Sequence, residues 1–152
     1  MTEDEARKAI VAEAKTWIGT RYVSNGMVKE AGTDCAMILV GVYGGLGLIP
    51  PQFDPRPYPA QWHLHRNIEK YLEAILAFAT EVEKPPKRAP KPGDVVMFKI
   101  GKVFAHAAII TDWPNVIHAV GGSGVLPEDI SKNNTGKRAL ANVEQRFFSL
   151  WA

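Results

Sequence analysis

Apolar positions along this 152-residue chain change their period near its middle, from helical spacing before residue 83 to strand-like runs after residue 93. Ala6, Ile10, Ala14 and Trp17, with Ile18 alongside, recur at helical spacing behind Thr2-Glu3-Asp4-Glu5, which has the form of a capping box. Gly19 is the expected stop for this first helix. Residues 20–32 hold four turn formers and predict a loop that delivers Tyr22 towards Cys35. Thr33 and Asp34 are N-cap types, so a second helix is expected to begin at or just before Cys35. Met37, Val40 and Gly41 lie on one face of it and Ile38 and Val42 on an adjoining one; a helix apolar nearly all round is buried. Gly44, Gly45 and Gly47 end it. Residues 67–82 predict a third helix with Ile68, Tyr71, Leu72, Ile75, Leu76, Ala79 and Val82 on one face.

From Gly93 onward the pattern is that of strands. Residues 94–100 and 103–111 flank Gly101-Lys102 as a hairpin, and residues 116–120 follow the turn Asp112-Trp113-Pro114-Asn115. The loop Gly121-Gly122-Ser123-Gly124 leads to strand candidates at 125–130 and 141–150. Helices first and strands afterwards predict an α+β fold, with an antiparallel sheet packed on the cysteine helix. Nine of the eleven prolines fall between Pro50 and Pro92. Pro50-Pro51 and Pro55-Arg56-Pro57-Tyr58-Pro59 exclude regular helix and central strand, so residues 50–92 read as an ordered arm or lid that contains the third helix. The length fits one domain, 1–152, with this arm inserted.

Composition narrows the function classes. A net charge of +2 without a basic run gives no case for nucleic acid. A single cysteine excludes an internal disulfide and Cys-rich zinc sites. The acidic N-terminus lacks a basic-then-apolar signal pattern, and the longest apolar stretch, 36–49, is too short and too glycine-rich to span a membrane. Synthesis and folding in the cytoplasm are expected, with any export by another route.

The chemistry concentrates at three residues. Cys35, placed in a first helical turn, would meet unpaired backbone N–H groups and the positive end of the helix dipole, both of which favour the thiolate. Buried structural cysteine is the commoner fate of a lone Cys. His106 and His118 sit inside apolar strands, where an imidazole without partners costs about 1–3 kcal/mol. A thiol, a base beside it and a third group orienting the base is what nucleophilic catalysis requires. An alternative, a metal held by His63, His65, Cys35 and His118, has the weakness that proline-rich flanks scatter the first two.

Thr20-Arg21-Tyr22, Asp34-Cys35, Pro92-Gly93-Asp94-Val95-Val96-Met97-Phe98, His106-Ala107-Ala108-Ile109 and Val116-Ile117-His118-Ala119 together resemble the NlpC family of cell-wall cysteine peptidases. The resemblance covers roughly residues 6–120. It implies a papain-like core, no cofactor, and hydrolysis of amide bonds in peptidoglycan stem peptides, with Cys35 as nucleophile, His106 as base and His118 as its orienter. Tyr22 matches a family tyrosine near the thiol, and Asp34 the residue before the cysteine. Two departures stand out: Ala36-Met37 replaces the usual Ser-Gly, and Asn25-Gly26 replaces a usual Gly pair. The proline arm resembles a segment of tailed-phage members, which implies a virion-associated protein with tail-tip partners that acts at the bacterial wall. Trp62 is the aromatic of the arm expected to contact substrate. Two other readings use the same residues: a non-catalytic tail-tip component that keeps the fold, and a thiol-dependent acyltransferase or deamidase.

Geometry supplies a condition. Strands with period two, paired across residues 112–115, put both histidines on one face only if paired residue numbers sum to an even value. The cysteine helix is then expected to pack on that same face.

Overall fold

The computed structural model describes residues 1–56, 70–136 and 139–151. Helix α1 (Glu3–Lys15) starts under Thr2, whose hydroxyl accepts from the Glu5 backbone N–H at 3.2 Å. It ends at Lys15, and residues 16–19 continue as turns. The expected loop at 20–32 contains a short antiparallel pair, β1 (Met27–Val28) with β2 (Gly32–Thr33). Helix α2 (Met37–Gly45) is buried at Met37, Ile38, Leu39, Val40, Val42 and Tyr43, as its apolar composition demands. Helix α3 (Lys70–Leu76) ends six residues before the predicted end at 82, and residues 67–69 of the predicted helix lie outside the described residues. Thr80, Glu81 and Val82 form strand β3 (Thr80–Val82) instead, pairing with Ser149, Phe148 and Phe147. β-branched Thr80 and Val82 suit a sheet edge, and tertiary pairing overrides the helical spacing there.

The remaining strands are β4 (Val95–Ile100), β5 (Val103–Asp112), β6 (Asn115–Val120), β7 (Gly124–Asp129) and β8 (Gln145–Ser149). With β3 they form a six-stranded sheet in the order β3-β8-β4-β5-β6-β7, antiparallel throughout. The architecture is the α+β, papain-like one expected, with N-terminal helices on an antiparallel sheet. Alternation divides the sheet into two faces. Val95, Met97, Ala107, Ile109, Ile117 and Ala119 pack with α1 and α2. Val96, Phe98, Ala108, Ile110 and Val116 pack instead with Ile130, Leu140 and Phe147. Among the described residues no helix is long and apolar enough to cross a membrane.

Two joints fix the helices and the Tyr22 loop to this sheet. At the first, Asp94 is 0% exposed and accepts from Arg7 Nη1 and Arg88 Nη1, each at 2.8 Å, and from the Lys91 N–H at 2.9 Å. Arg7, 5% exposed, also donates to Pro92 O and Ser149 Oγ. At the second, Gly19 N–H donates to Val125 O and Val125 N–H to Thr20 O, both at 2.9 Å, which stitches the loop entry to β7. Gly124 has φ +79°, and a Cβ there would lie 2.5 Å from Thr20 O, so the loop sits against bare backbone.

Candidate active site

Asp34 prepares the end of α2. Its Oδ1 accepts from the Ala36 and Met37 N–H groups at 3.1 and 2.8 Å, and its Oδ2 from the Asn25 N–H at 2.7 Å. These bonds satisfy donors that a helix start leaves unpaired. The helix therefore begins at Met37, two residues later than Cys35, and Cys35 lies in the turn ahead of it.

Strands β5 and β6 separate beside this turn. They pair at Ile109–Ile117 and Ile110–Val116, and among the described residues β5 has no β6 partner before Ile109. On its other side β5 follows β4, with a bulge that leaves Ala105 between the pairs Phe98–His106 and Lys99–Phe104. Edge groups of alternate residues point the same way, so Ala105 O and Ala107 N–H both face the opening. Cys35 occupies it: Sγ lies 3.7 Å from Ala105 O and is hydrogen-bonded by the Ala107 N–H. The thiol thus bridges the two backbone groups that flank His106.

The pairing numbers of β5 and β6, 109 with 117 and 110 with 116, sum to an even value, and the histidines share a face as required. His106 Nε2 and His118 Nδ1 are 2.9 Å apart, with ring centroids at 5.1 Å. The expectation that α2 packs on that face is not met. His106 and His118 alternate with residues packed against α2 and share parity with Ala108, Ile110 and Val116 on the opposite face. The sulfur meets β5 edge-on, through the split in the sheet, at the backbone on either side of His106, so no helix is needed over the imidazoles.

Tyr22 closes the other side. Its hydroxyl hydrogen-bonds the Cys35 thiol and accepts from the Cys35 backbone N–H. A bridge between Tyr22 and Thr33 holds the loop there. The phenol is raised well above its ordinary value by burial, and by the neighbouring Cys35 and Asp34, so it is an O–H donor at any working pH. The thiol behaves differently from the sequence expectation. Burial first, and then the charge of Asp34, push it up to about 12. Hydrogen bonds from Tyr22, the Cys35 N–H and the Ala107 N–H pull the other way without prevailing. The residue as a whole keeps some exposure while the sulfur itself is desolvated. The helix dipole reasoning failed because the helix starts after the cysteine and because Asp34 already occupies the first-turn donors.

His118 is 1% exposed, and burial lowers its pKa, opposed by the hydrogen bond and charge of Glu128. Its Nε2 is 2.8 Å from Glu128 Oε1. Glu128 escaped the sequence reading; the signal for it is its place on β7, two residues along from Leu126, which pairs with His118. Trp62, His63 and His65 lie outside the described residues, as does the residue 57–69 part of the proline arm that holds them. Arg56, at the near end of that arm, pairs with Asp54 and donates to Asn25 O at 3.3 Å, next to the loop that Asp34 holds.

Comparison with known proteins bears on the fold and the family. No curated protein matches the chain by sequence. Among solved structures it is similar to the NlpC/p60 domain of the peptidoglycan hydrolase SagA, with 22% identity, a TM-score of 0.60, and coverage of 92% of this chain and 96% of that one. It is similar also to NlpC1 from Trichomonas vaginalis, at 14% identity and TM-score 0.62, covering 97% of this chain but only 44% of that one. RipD from Mycobacterium tuberculosis, described as a non-catalytic NlpC/p60 domain protein adapted to peptidoglycan binding, matches at 13% identity and TM-score 0.55, over 95% of this chain and 96% of that one. At such identities the likeness establishes the fold. The NlpC/P60 family model matches residues 19–144, a span that contains the Tyr22 loop, the Cys35 turn, and both histidine strands. The chain belongs to the NlpC/P60 family.

Proposed function

We propose that the protein is a cysteine peptidase that hydrolyses amide bonds in peptidoglycan stem peptides, with Cys35, His106 and His118 as its catalytic residues. The observation that carries this reading is the convergence, at the split between β5 and β6, of the Cys35 thiol, the Tyr22 hydroxyl and the 2.9 Å His106–His118 pair. The thiol rests protonated. As its sulfur bonds to the substrate carbonyl carbon, the thiol proton passes to Nδ1 of His106. The carbonyl oxygen becomes an oxyanion between the Cys35 N–H and the Tyr22 hydroxyl, donors of the kind worth about 3–4 kcal/mol each. Collapse breaks the C–N bond, and His106 returns the proton to the departing amine. Water, deprotonated by His106, then cleaves the thioester and frees Cys35. Asp34 holds the turn that aims the sulfur and the N–H.

The proline-rich arm supports a place in a phage tail, with tail-tip partners, as the setting for this activity, and Trp62 as an arm residue in contact with substrate. A second reading has one observation in its favour: a Cys35 thiol seated between Ala105 O and the Ala107 N–H, with burial raising its pKa, suits a domain that binds stem peptides without cutting them. Incubating the protein and its Cys35→Ser variant with defined muropeptides, with products read by mass spectrometry, tests both. Cleavage by the wild type alone supports the peptidase. Binding of the muropeptides with no product from either supports the binding domain.

A further inference from the structure

The two imidazoles share a single proton across their 2.9 Å contact, and which ring supplies it decides what His106 can do. A neutral imidazole carries one N–H, so its two nitrogens are a donor and an acceptor. If His118 donated through Nδ1, Nε2 of His106 would be the acceptor, and its own proton would sit on Nδ1. That nitrogen could then take no proton from the thiol. If instead His106 donates through Nε2, its Nδ1 lone pair is available. The His–His pair alone does not choose between these states.

The choice is made on the next strand. Pairing of β6 with β7 sets His118 opposite Leu126 and Val116 opposite Glu128, which puts Glu128 diagonal to His118 on the histidine face. Glu128 Oε1 lies 2.8 Å from His118 Nε2. Its other oxygen accepts from Asn133 Nδ2 at 2.9 Å, and Asn133 Oδ1 in turn accepts from the Leu140 N–H at 3.1 Å. The carboxylate is therefore held at both oxygens. An ionised carboxylate only accepts hydrogen bonds.

We infer that Glu128 is a positioning residue: it holds His118 as the Nε2–H tautomer, so that His118 Nδ1 accepts from His106 Nε2–H and His106 presents Nδ1 as a base. The inference rests on the peptidase reading for its consequence in turnover, but not for the tautomers themselves. In this role Glu128 acts on the sulfur through the rings of His118 and His106. Asn133 is the support that keeps its carboxylate from turning to solvent.

The test combines nitrogen-15 NMR of the imidazoles with kinetics on a defined muropeptide, for the wild type, Glu128→Gln and Glu128→Leu. The wild type should show His118 protonated at Nε2 and His106 at Nε2. Glu128→Gln keeps one acceptor oxygen for the two donors, His118 Nε2–H and Asn133 Nδ2–H, so its tautomer populations and kcat should fall between those of the wild type and Glu128→Leu. Glu128→Leu should shift His118 towards Nδ1–H and lower kcat by roughly 100-fold, the lower end of what a positioned base contributes, with KM within about twofold. A wild-type His118 protonated at Nδ1 overturns the inference whatever the variants do. So does a Glu128→Leu protein with unchanged tautomers or full kcat. If the wild type cuts no muropeptide, the peptidase reading fails, and the NMR arm alone decides the role of Glu128.

Discussion

Two buried polar networks hang on the same sheet, and they are built on opposite principles. Around Asp94 the parts are full charges: a carboxylate with no exposure, two guanidiniums at 2.8 Å, and a backbone N–H. Around His118 the parts are neutral rings, a thiol and a phenol, with one carboxylate at the far end. The first network centres on the joint between α1, β4 and β8, where Arg7 and Asp94 are buried, and only its outlying members, Glu3 and Arg88, meet solvent. The second runs outward to a half-buried cysteine and to Tyr22, which is 38% exposed. Complementary charges fix a geometry, because removing one partner strands the other in low dielectric. A chain of neutral donors and acceptors can pass a proton without separating charge over a long distance. The difference between the networks is the difference between a rivet and a reactive centre.

Breaking each network separately should separate stability from activity. Cys35→Ala should lower turnover by at least roughly 1,000-fold, as loss of a nucleophile does, while thermal denaturation stays close to the wild type. A large fall in the melting temperature with turnover retained would return Cys35 to a structural role. Asp94→Ala should do the reverse, destabilising the fold by about 3–5 kcal/mol in urea unfolding because the buried Arg7 guanidinium loses its buried carboxylate partner. Comparable stability of that variant would mean the joint is held by packing alone. Tyr22→Phe removes one donor from the reactive network and should cost about 100-fold in kcat, with unfolding midpoints unchanged.

Smaller effects sharpen the contrast. Because burial and Asp34 push the thiol up to about 12, iodoacetamide labelling of Cys35 should be slow at pH 7 and keep rising into the alkaline range. A labelling plateau below pH 8.5 would mean a preformed thiolate. The smallest effect comes from His118, whose folded pKa lies below the ordinary 6.5. The unfolded chain then binds the proton more readily, so this histidine's share of stability is intact above pH 6.5 and falls as the pH drops through that value. His118→Asn should flatten that part of the stability profile, measured by chemical unfolding between pH 5 and 7. An unchanged slope would show that His118 is not its source.

Much of this was legible in the sequence because periodicity is a local property. Met37 to Tyr43 announce a buried helix, and the spacing of His106 and His118 about a turn fixes the register condition under which they share a face. What remained hidden depends on events between elements. The bulge at Ala105 and the parting of β5 from β6 leave no mark in the order of residues, so the edge-on approach of the sulfur was missed, and with it the side of the sheet on which α2 packs. Glu128 sits in Pro-Glu-Asp at the end of a strand, where acidic residues ordinarily read as a turn. Thr80 to Val82 carried helical spacing, yet an available edge of β8 claimed them. The thiol's environment depended on Asp34 turning its carboxylate to the helix start, a contact that cap preferences suggest but whose effect on Cys35 they do not.

Gly124 stands where the two ends of the site are tied to one strand. The strand it opens carries Glu128 four residues on, and the same strand end grips the loop entry through Val125, bonded to Gly19 and Thr20. Tyr22 follows two residues after Thr20. The phenol in front of the sulfur and the carboxylate behind the second imidazole therefore both trace back to β7, the phenol through the loop entry and, from its other side, to Thr33. A methyl group at position 124 would be forced against Thr20 O and would push the loop entry off β7, at the end of the strand away from Glu128.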